Sequence, residues 1–450
     1  MKSKGLLKRV FLTLLFFALV VNLPALKASN DSFYPIKYVM DSLPNGLHVI
    51  YNIDKTAPII ATVVHYRVGS HNETPGKTGY AHFFEHLMFE ATSAYPRASI
   101  DKNVQEASGT LNAHTYFDET VYYIQLPSNE LKLALWIESQ RMRHLLVDTI
   151  GVETQRGVVL EELKMHVDNQ PYGDMIDKLC ANLWNNSNYQ WSVIGSKEDL
   201  AKATIDDFRT FYNKFYHPSN AVLVISGDFE LNEARKYVNE YFGQYKEFVP
   251  VPETKFTPPP LEKGYTETIT DEKAQLPAIF ISYRAPKIGS EDYYAFALLV
   301  DILSSGESSR LYSKLVDEEQ IAVNASIESM PLEYSGAAMF IGIPTPGNEL
   351  KDISKEFSKV IESVIQKGVT TEELDKAKNI TAMSFVSDKK NVLSKAESLA
   401  MYFSYFRDPS LINSELDKYL SVTVEDIKRV AKKYFDTDKR VVLNYLPKTN

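Results

Sequence analysis

An internal repeat constrains the fold of this chain more than any other feature. Thr204-Ile-Asp-Asp-Phe-Arg, followed by Lys214-Phe-Tyr and the strand-like Ala221-Val-Leu-Val-Ile, is echoed by Thr423-Val-Glu-Asp-Ile-Lys, Lys433-Tyr-Phe and Val441-Val-Leu, an offset of 219. Near the start of each half a strand-like stretch ends in Tyr66-Arg67 and in Tyr283-Arg284, an offset of 217. Two matches at nearly one offset point to a duplicated domain. Between the copies, residues 247–263 carry five prolines within 250–260. Such a stretch cannot form a helix or a central strand and reads as a stiff, extended linker. A chain of 450 residues also exceeds one hydrophobic core. The expected organisation is a targeting segment over 1–28, a first domain over 32–246, the linker, and a second homologous domain over 264–450.

Each half mixes element types. Leu47–Tyr51, Ile59–Arg67, Thr120–Leu126 and Ala221–Gly227 are rich in β-branched and aromatic residues and predict strands. Helices are predicted at about 78–92, 129–145, 152–167 and 204–215, with Thr78 as a cap for the first and Thr204 with Asp207 as a capping box. Strands and helices without strict β-α-β alternation predict an α+β fold, each domain a mixed β-sheet packed with helices.

Lys2, Lys4, Lys8 and Arg9 precede an apolar run, Val10 to Val21, broken at Thr13 alone. A small-residue site follows near Ala28. The run is short for a bilayer span and predicts a cleaved signal peptide, hence an exported protein, periplasmic or secreted. Removing residues 1–28 takes away five positive charges and no negative ones, moving the formal charge from −9 to −14. An acidic exported chain is a poor partner for nucleic acid or for an anionic membrane surface. Cys180 is the sole cysteine, which excludes an internal disulfide; its place in the apolar pattern Ile176, Leu179, Leu183 predicts a buried small hydrophobe.

The chemistry is concentrated in His82-Phe-Phe-Glu85-His86. Positions i and i+4 share a helical face, so both imidazoles point one way, with Glu85 beside them. Paired neutral imidazoles suit zinc, and an unliganded carboxylate there can take a proton from metal-activated water. The order His-x-x-Glu-His is the inverted zinc-peptidase signature. All nine histidines lie at or before His217, and the segment of the second half matching the motif helix is apolar, so a metal site is expected in the first half alone. Two histidines leave a zinc site short of a ligand. Glu161 and Glu162, on the helix predicted at 152–167, are candidates between which periodicity does not choose.

The motif in its setting, Gly79-Tyr-Ala-His-Phe-Phe-Glu-His-Leu-Met-Phe-Glu-Ala-Thr92, resembles the pitrilysin/insulinase family of inverted-motif zinc peptidases, and within it the mitochondrial-processing-peptidase-like branch. Gly109-Thr-Leu-Asn-Ala-His-Thr115, Trp136-Ile-Glu-Ser-Gln-Arg-Met142, Val193-Ile-Gly-Ser-Lys-Glu-Asp199 and Tyr216-His-Pro-Ser-Asn-Ala221 extend the resemblance over about residues 35–446. It implies Zn2+ held by His82, His86 and Glu162, with Glu85 as general base. It also implies a substrate-binding edge strand at Asn112 and Ala113, where an extended peptide can pair through its main chain. His114 neighbours that edge and is a candidate to line the cleft; His48, His144 and His166 read as surface or satisfied residues and His217, before a proline in a turn, as structural.

Two departures from the family pattern bear on activity. Gln155 stands seven residues before Glu162, where the family often carries another Glu. Val316 and Val323 stand where members acting alone usually carry an Arg and a Tyr that hold substrate and developing oxyanion, and neither valine donates a hydrogen bond. The nearby Ser308-Ser-Arg-Leu-Tyr312 matches a family helix and is read as structural. The sequence therefore predicts an exported zinc endopeptidase acting on peptides or unfolded segments. Its partner would be a homologous subunit that lacks the zinc motif but supplies the Arg/Tyr pair, with a homodimer as the other possibility. The competing class is a non-catalytic structural or assembly subunit with a retained zinc site.

Overall fold

Two mixed sheets share one strand order. The computed structural model describes residues 35–251 and 254–448; the apolar N-terminal run and its charged flank lie outside the described residues. The first sheet contains β1 (Val39–Ser42), β2 (His48–Ile53), β3 (Ile59–Tyr66), β4 (Thr110–Thr115), β5 (Thr120–Pro127) and β6 (Ala221–Gly227), in the order β1-β2-β6-β3-β5-β4. The second contains β7 (Tyr265–Asp271), β8 (Ala278–Ala285), β9 (Ala322–Met330), β10 (Gly336–Pro344) and β11 (Arg440–Pro447), in the order β7-β11-β8-β10-β9. Apart from β1, the two orders correspond strand for strand. The parallel pair falls in the same place in each, β2 with β6 and β7 with β11, and the remaining neighbours are antiparallel. The fold is the expected α+β arrangement of mixed sheets packed with helices.

Local chemistry repeats with the topology. Thr204 and Asp207 form a reciprocal capping box on helix Ile205–Phe215, and Thr423 with Asp426 forms the same box on helix Val424–Tyr434. Period-two burial sorts the central strands of the second sheet between two cores. In β8, Ile279, Ile281 and Tyr283 enter the main core of the second half, whereas Ala278 and Phe280 face a third cluster on the opposite side.

That third cluster shows how the halves interlock. Leu179, Cys180, Leu183 and Trp184, from helix Met175–Leu183 and its end, cover β8 and β11 of the second sheet. Reciprocally, helix Val392–Phe406 of the second half packs on β3 and β6 of the first sheet. It is fastened there by an ion pair between Lys395 and Asp54, and by Phe403 against His48 at 4.7 Å between rings. Each half therefore lends a helix to the other's sheet. Cys180 is fully buried, as its apolar setting predicts, and burial raises its thiol pKa. In the proline-rich stretch, Phe256 joins an aromatic group with His71, Tyr189 and Tyr334.

The Lys395 ammonium is almost wholly buried, so removing its carboxylate strands a charge. Asp54→Ala is expected to lower unfolding stability by about 3 kcal/mol in urea titrations. Lys55→Ala, which removes the exposed and solvent-screened Lys55–Glu230 pair, should leave the urea midpoint essentially unchanged.

Candidate metal centre

The motif lies on helix Tyr80–Leu87, shorter than the predicted 78–92, and its first turn is fastened from several sides. Thr78 does not cap it. Gly79 is the N-cap, in the left-handed region at φ 84°, and offers no side chain to the free N–H groups. The buried carboxylate of Glu73 takes that role, accepting from Gly79 N at 2.8 Å and Ala81 N at 2.9 Å. Burial pushes the Glu73 carboxyl up to about 8 even so. Thr78 instead donates its hydroxyl and its amide to Asp199. Gly195 lies so close that a Cβ there would sit 2.3 Å from Gly79 N. Further along, Tyr122 donates to the Phe84 carbonyl at 3.1 Å, and Phe83 stacks on Phe208 at 4.2 Å between rings. The apolar residues of the motif face the core, which turns His82, Glu85 and His86 outward together.

His82, His86 and Glu162 converge, with their donor atoms all within 4.8 Å of one another. His82 Nε2 lies 3.6 Å and His86 Nε2 3.1 Å from the two oxygens of Glu162. Ligands at zinc–ligand distances of about 2.0–2.2 Å in a tetrahedral site stand roughly 3.3–3.5 Å apart, which these separations bracket. The donor set fits zinc. Burial lowers the His82 pKa and the His86 contact lowers that of Glu162, so both favour the forms that bind metal. Glu161, the other carboxylate left open by periodicity, is exposed and pairs with Lys164. Glu85 stays outside the donor cluster on the same helix, and its charge reaches His82 and His114. His82 Nδ1 is buried without a hydrogen-bonding partner among the described residues, so placement of the helix aims this ring.

Glu162 comes from helix Thr149–Leu163, capped at its start by Asp148 accepting from Gly151 N at 2.9 Å. Asp148, Gln155 and Glu162 follow one another at seven-residue spacing, a single stripe on the helix. Gln155 Nε2 donates to Glu90 at 2.6 Å, and Glu90 accepts from Arg97 at 2.8 Å. Arg97 in turn binds both oxygens of Asp148 at 2.6 and 2.7 Å. The sequence reading missed Glu90, Arg97 and Asp148 as companions of the site. The seven-residue stripe was the available signal for Asp148, and nothing in the sequence showed which residues would meet it.

β4 is an edge strand, with Asn112 and His114 exposed and Ala113 buried. The Ala113 N–H donates to Asn112 Oδ1 at 2.9 Å. His114, half-exposed, faces Glu119 at 3.6 Å, and this contact raises its pKa. Glu119 also meets His65 at 3.4 Å and Tyr405 of helix Val392–Phe406. In the second half, Val316 packs against the core and Val323 is exposed on edge strand β9, while Arg310 of the structural stretch binds Glu373.

An inverted His-x-x-Glu-His helix completed by a carboxylate from a second helix, on a duplicated α+β fold, defines a class of zinc peptidase. Residues 48–197 match the model of the insulinase family, peptidase family M16, and residues 202–381 match that of the peptidase M16 inactive domain. The chain belongs to peptidase family M16. It is similar to the zinc protease PqqE of Helicobacter pylori (strain ATCC 700392 / 26695), 29% identical over 420 residues that span 92% of this chain and 93% of that protein. Among solved structures, a protease from Helicobacter pylori superposes with a TM-score of 0.88 at 28% identity, covering 92% of this chain and 100% of that one. The periplasmic protease PqqL from Escherichia coli shares the fold, with a TM-score of 0.75 at 19% identity, covering 91% of this chain and 47% of that one.

His65 generates a pH prediction. Burial lowers its pKa to about 4, below the ordinary 6.5, so the unfolded chain takes up this proton first as pH falls. Stability should therefore decline from pH 6.5 toward pH 4, and His65→Gln should flatten that slope in urea titrations at pH 7 and pH 5. His114, whose pKa is raised, acts in the opposite sense and in a separate window, its contribution fading as pH rises above 6.5.

Proposed function

We propose that this chain is an exported zinc endopeptidase that hydrolyses peptides or unfolded segments. The observation carrying this reading is the convergence of His82, His86 and Glu162 beside an unliganded Glu85, next to an open sheet edge. Zinc held by those three residues would polarise the scissile carbonyl and acidify the attacking water. Glu85 takes the proton from that water and returns it to the leaving amine. An extended peptide pairs with β4 at Asn112 and Ala113, replacing the bond that Asn112 now makes to the Ala113 amide. Main-chain pairing of this kind gives affinity with little dependence on sequence, which suits unfolded substrates. Export is supported by the basic residues up to Arg9 and the apolar run after them.

Val316 and Val323 favour a further element of the proposal, a homologous partner chain. Neither supplies a donor for an oxyanion, so a partner bearing the Arg/Tyr pair would complete the chamber, as a heterodimer. A purely structural role leaves Glu85 without a use beside the donor cluster.

Hydrolysis of a quenched-peptide library by the purified mature chain is expected to stop on addition of a chelator. Glu85→Gln should keep zinc while losing at least about 100-fold in turnover. An active Glu85→Gln variant would remove Glu85 from the role of base. Purification of the native complex should recover a second, homologous chain; a fully active single species would refute the partner requirement.

A further inference from the structure

The motif helix and the turn that leaves it meet the Glu162 helix at two levels, and the second level holds no metal donor. His86 faces Glu162 at the first. Four residues beyond His86, Glu90 meets Gln155, which lies two turns before Glu162 on the same stripe. The chain leaving the motif helix at Leu87 therefore runs back along the Glu162 helix, with a metal level and a polar level one above the other. Glu90 is 8% exposed, and its two oxygens are engaged separately, one by Gln155 and the other by Arg97. Arg97 closes the chain of contacts on Asp148, the residue that caps the Glu162 helix.

We propose that Gln155 and Glu90 are positioning residues for the metal centre: their amide–carboxylate bond fixes the separation between the helix bearing His82 and His86 and the helix bearing Glu162. The proposal rests on the metal-binding reading above. Glu162 is the sole donor of the cluster on its helix, so a displacement of that helix moves one donor against the other two. Among the described residues His82 Nδ1 has no partner to correct its aim. A shift of about 1 Å would carry the donor separations outside those of tetrahedral zinc.

Glu90 also dictates the residue type at 155. A carboxylate oxygen accepts hydrogen bonds and cannot donate, and Arg97 is already shared between Glu90 and Asp148. Glu at 155 would set two carboxylates at hydrogen-bonding distance in a largely buried place, where like charges repel. Gln155→Glu, the change toward the residue that the family pattern favours, is thus expected to damage the site rather than improve it.

The test measures metal on the full mature chain at pH 8. Zinc affinity is read by competition with a chromophoric chelator, and coordination by the visible spectrum of the cobalt-loaded protein. Gln155→Glu should weaken zinc by about 10- to 100-fold and alter the cobalt spectrum. The double variant Glu90→Gln/Gln155→Glu, which again sets one amide against one carboxylate, should return within a few-fold of wild type. Melting of each metal-free protein in chelator reports folding separately. Should Gln155→Glu fail to fold, the neutral Gln155→Ala replaces it, with a several-fold loss expected. Wild-type affinity and spectrum in the folded position-155 variant, or a double variant no better than the single one, would overturn the proposal. Wild-type protein that binds neither metal would overturn the metal-site reading itself.

Discussion

The site depends on one helix–helix contact. Neither the motif helix nor the Glu162 helix holds three donors, and zinc needs donors that converge from different directions. Packing supplies that convergence: Val152, Val159 and Leu163 are buried on one side, while Phe83, Phe84 and Leu87 hold the motif helix from the other. Once the two helices are in register, two imidazoles and a carboxylate have little choice but to meet. Glu73, Asp199 and the glycine contact at Gly195 fix where the motif helix begins.

The duplicated fold serves the site unequally. Both halves build the same strand order, yet the donors sit in the first half, and helix Glu291–Ser304 of the second is largely buried and without histidine. What the second half gives the first is support. Helix Val392–Phe406 lies on the back of the first sheet, and its Tyr405 meets Glu119 behind His114 on the edge strand. The proposed substrate edge is thus braced by residues nearly 300 positions away in sequence. A buried carboxylate shared by two histidines and a tyrosine is costly unless every member is paired, which ties the placement of β4 to the packing of the second half.

Much of this was legible in the sequence. The repeat offset foretold corresponding sheets, because a capping box at Thr204 and another at Thr423 are local chemistry that needs no tertiary context. The spacing of His82 and His86 foretold a shared face for the same reason. Thr78 does not cap the helix as predicted, because its hydroxyl is drawn to Asp199 across the fold while the Glu73 carboxylate, a few residues upstream, occupies the helix start. The reach of the motif helix was overestimated as well, since a periodic pattern does not show where the chain turns away. The reciprocal lending of helices between halves left no trace in either half alone, because an apolar face records that it is covered and not by what.

By itself the sequence determined the chemistry and the repeating unit: two imidazoles one turn apart, a carboxylate between them, and two copies of one topology around a proline-rich join. Those features are set by residue type and short spacing, which act through local backbone geometry. Helix periodicity left Glu161 and Glu162 equal, the family resemblance named Glu162, and the fold turns Glu162 to the histidines; tertiary structure alone decided that Gln155 meets Glu90 and that the edge strand leans on the second half. These are contacts between elements distant in sequence, and only the packing of buried faces fixes their direction and separation.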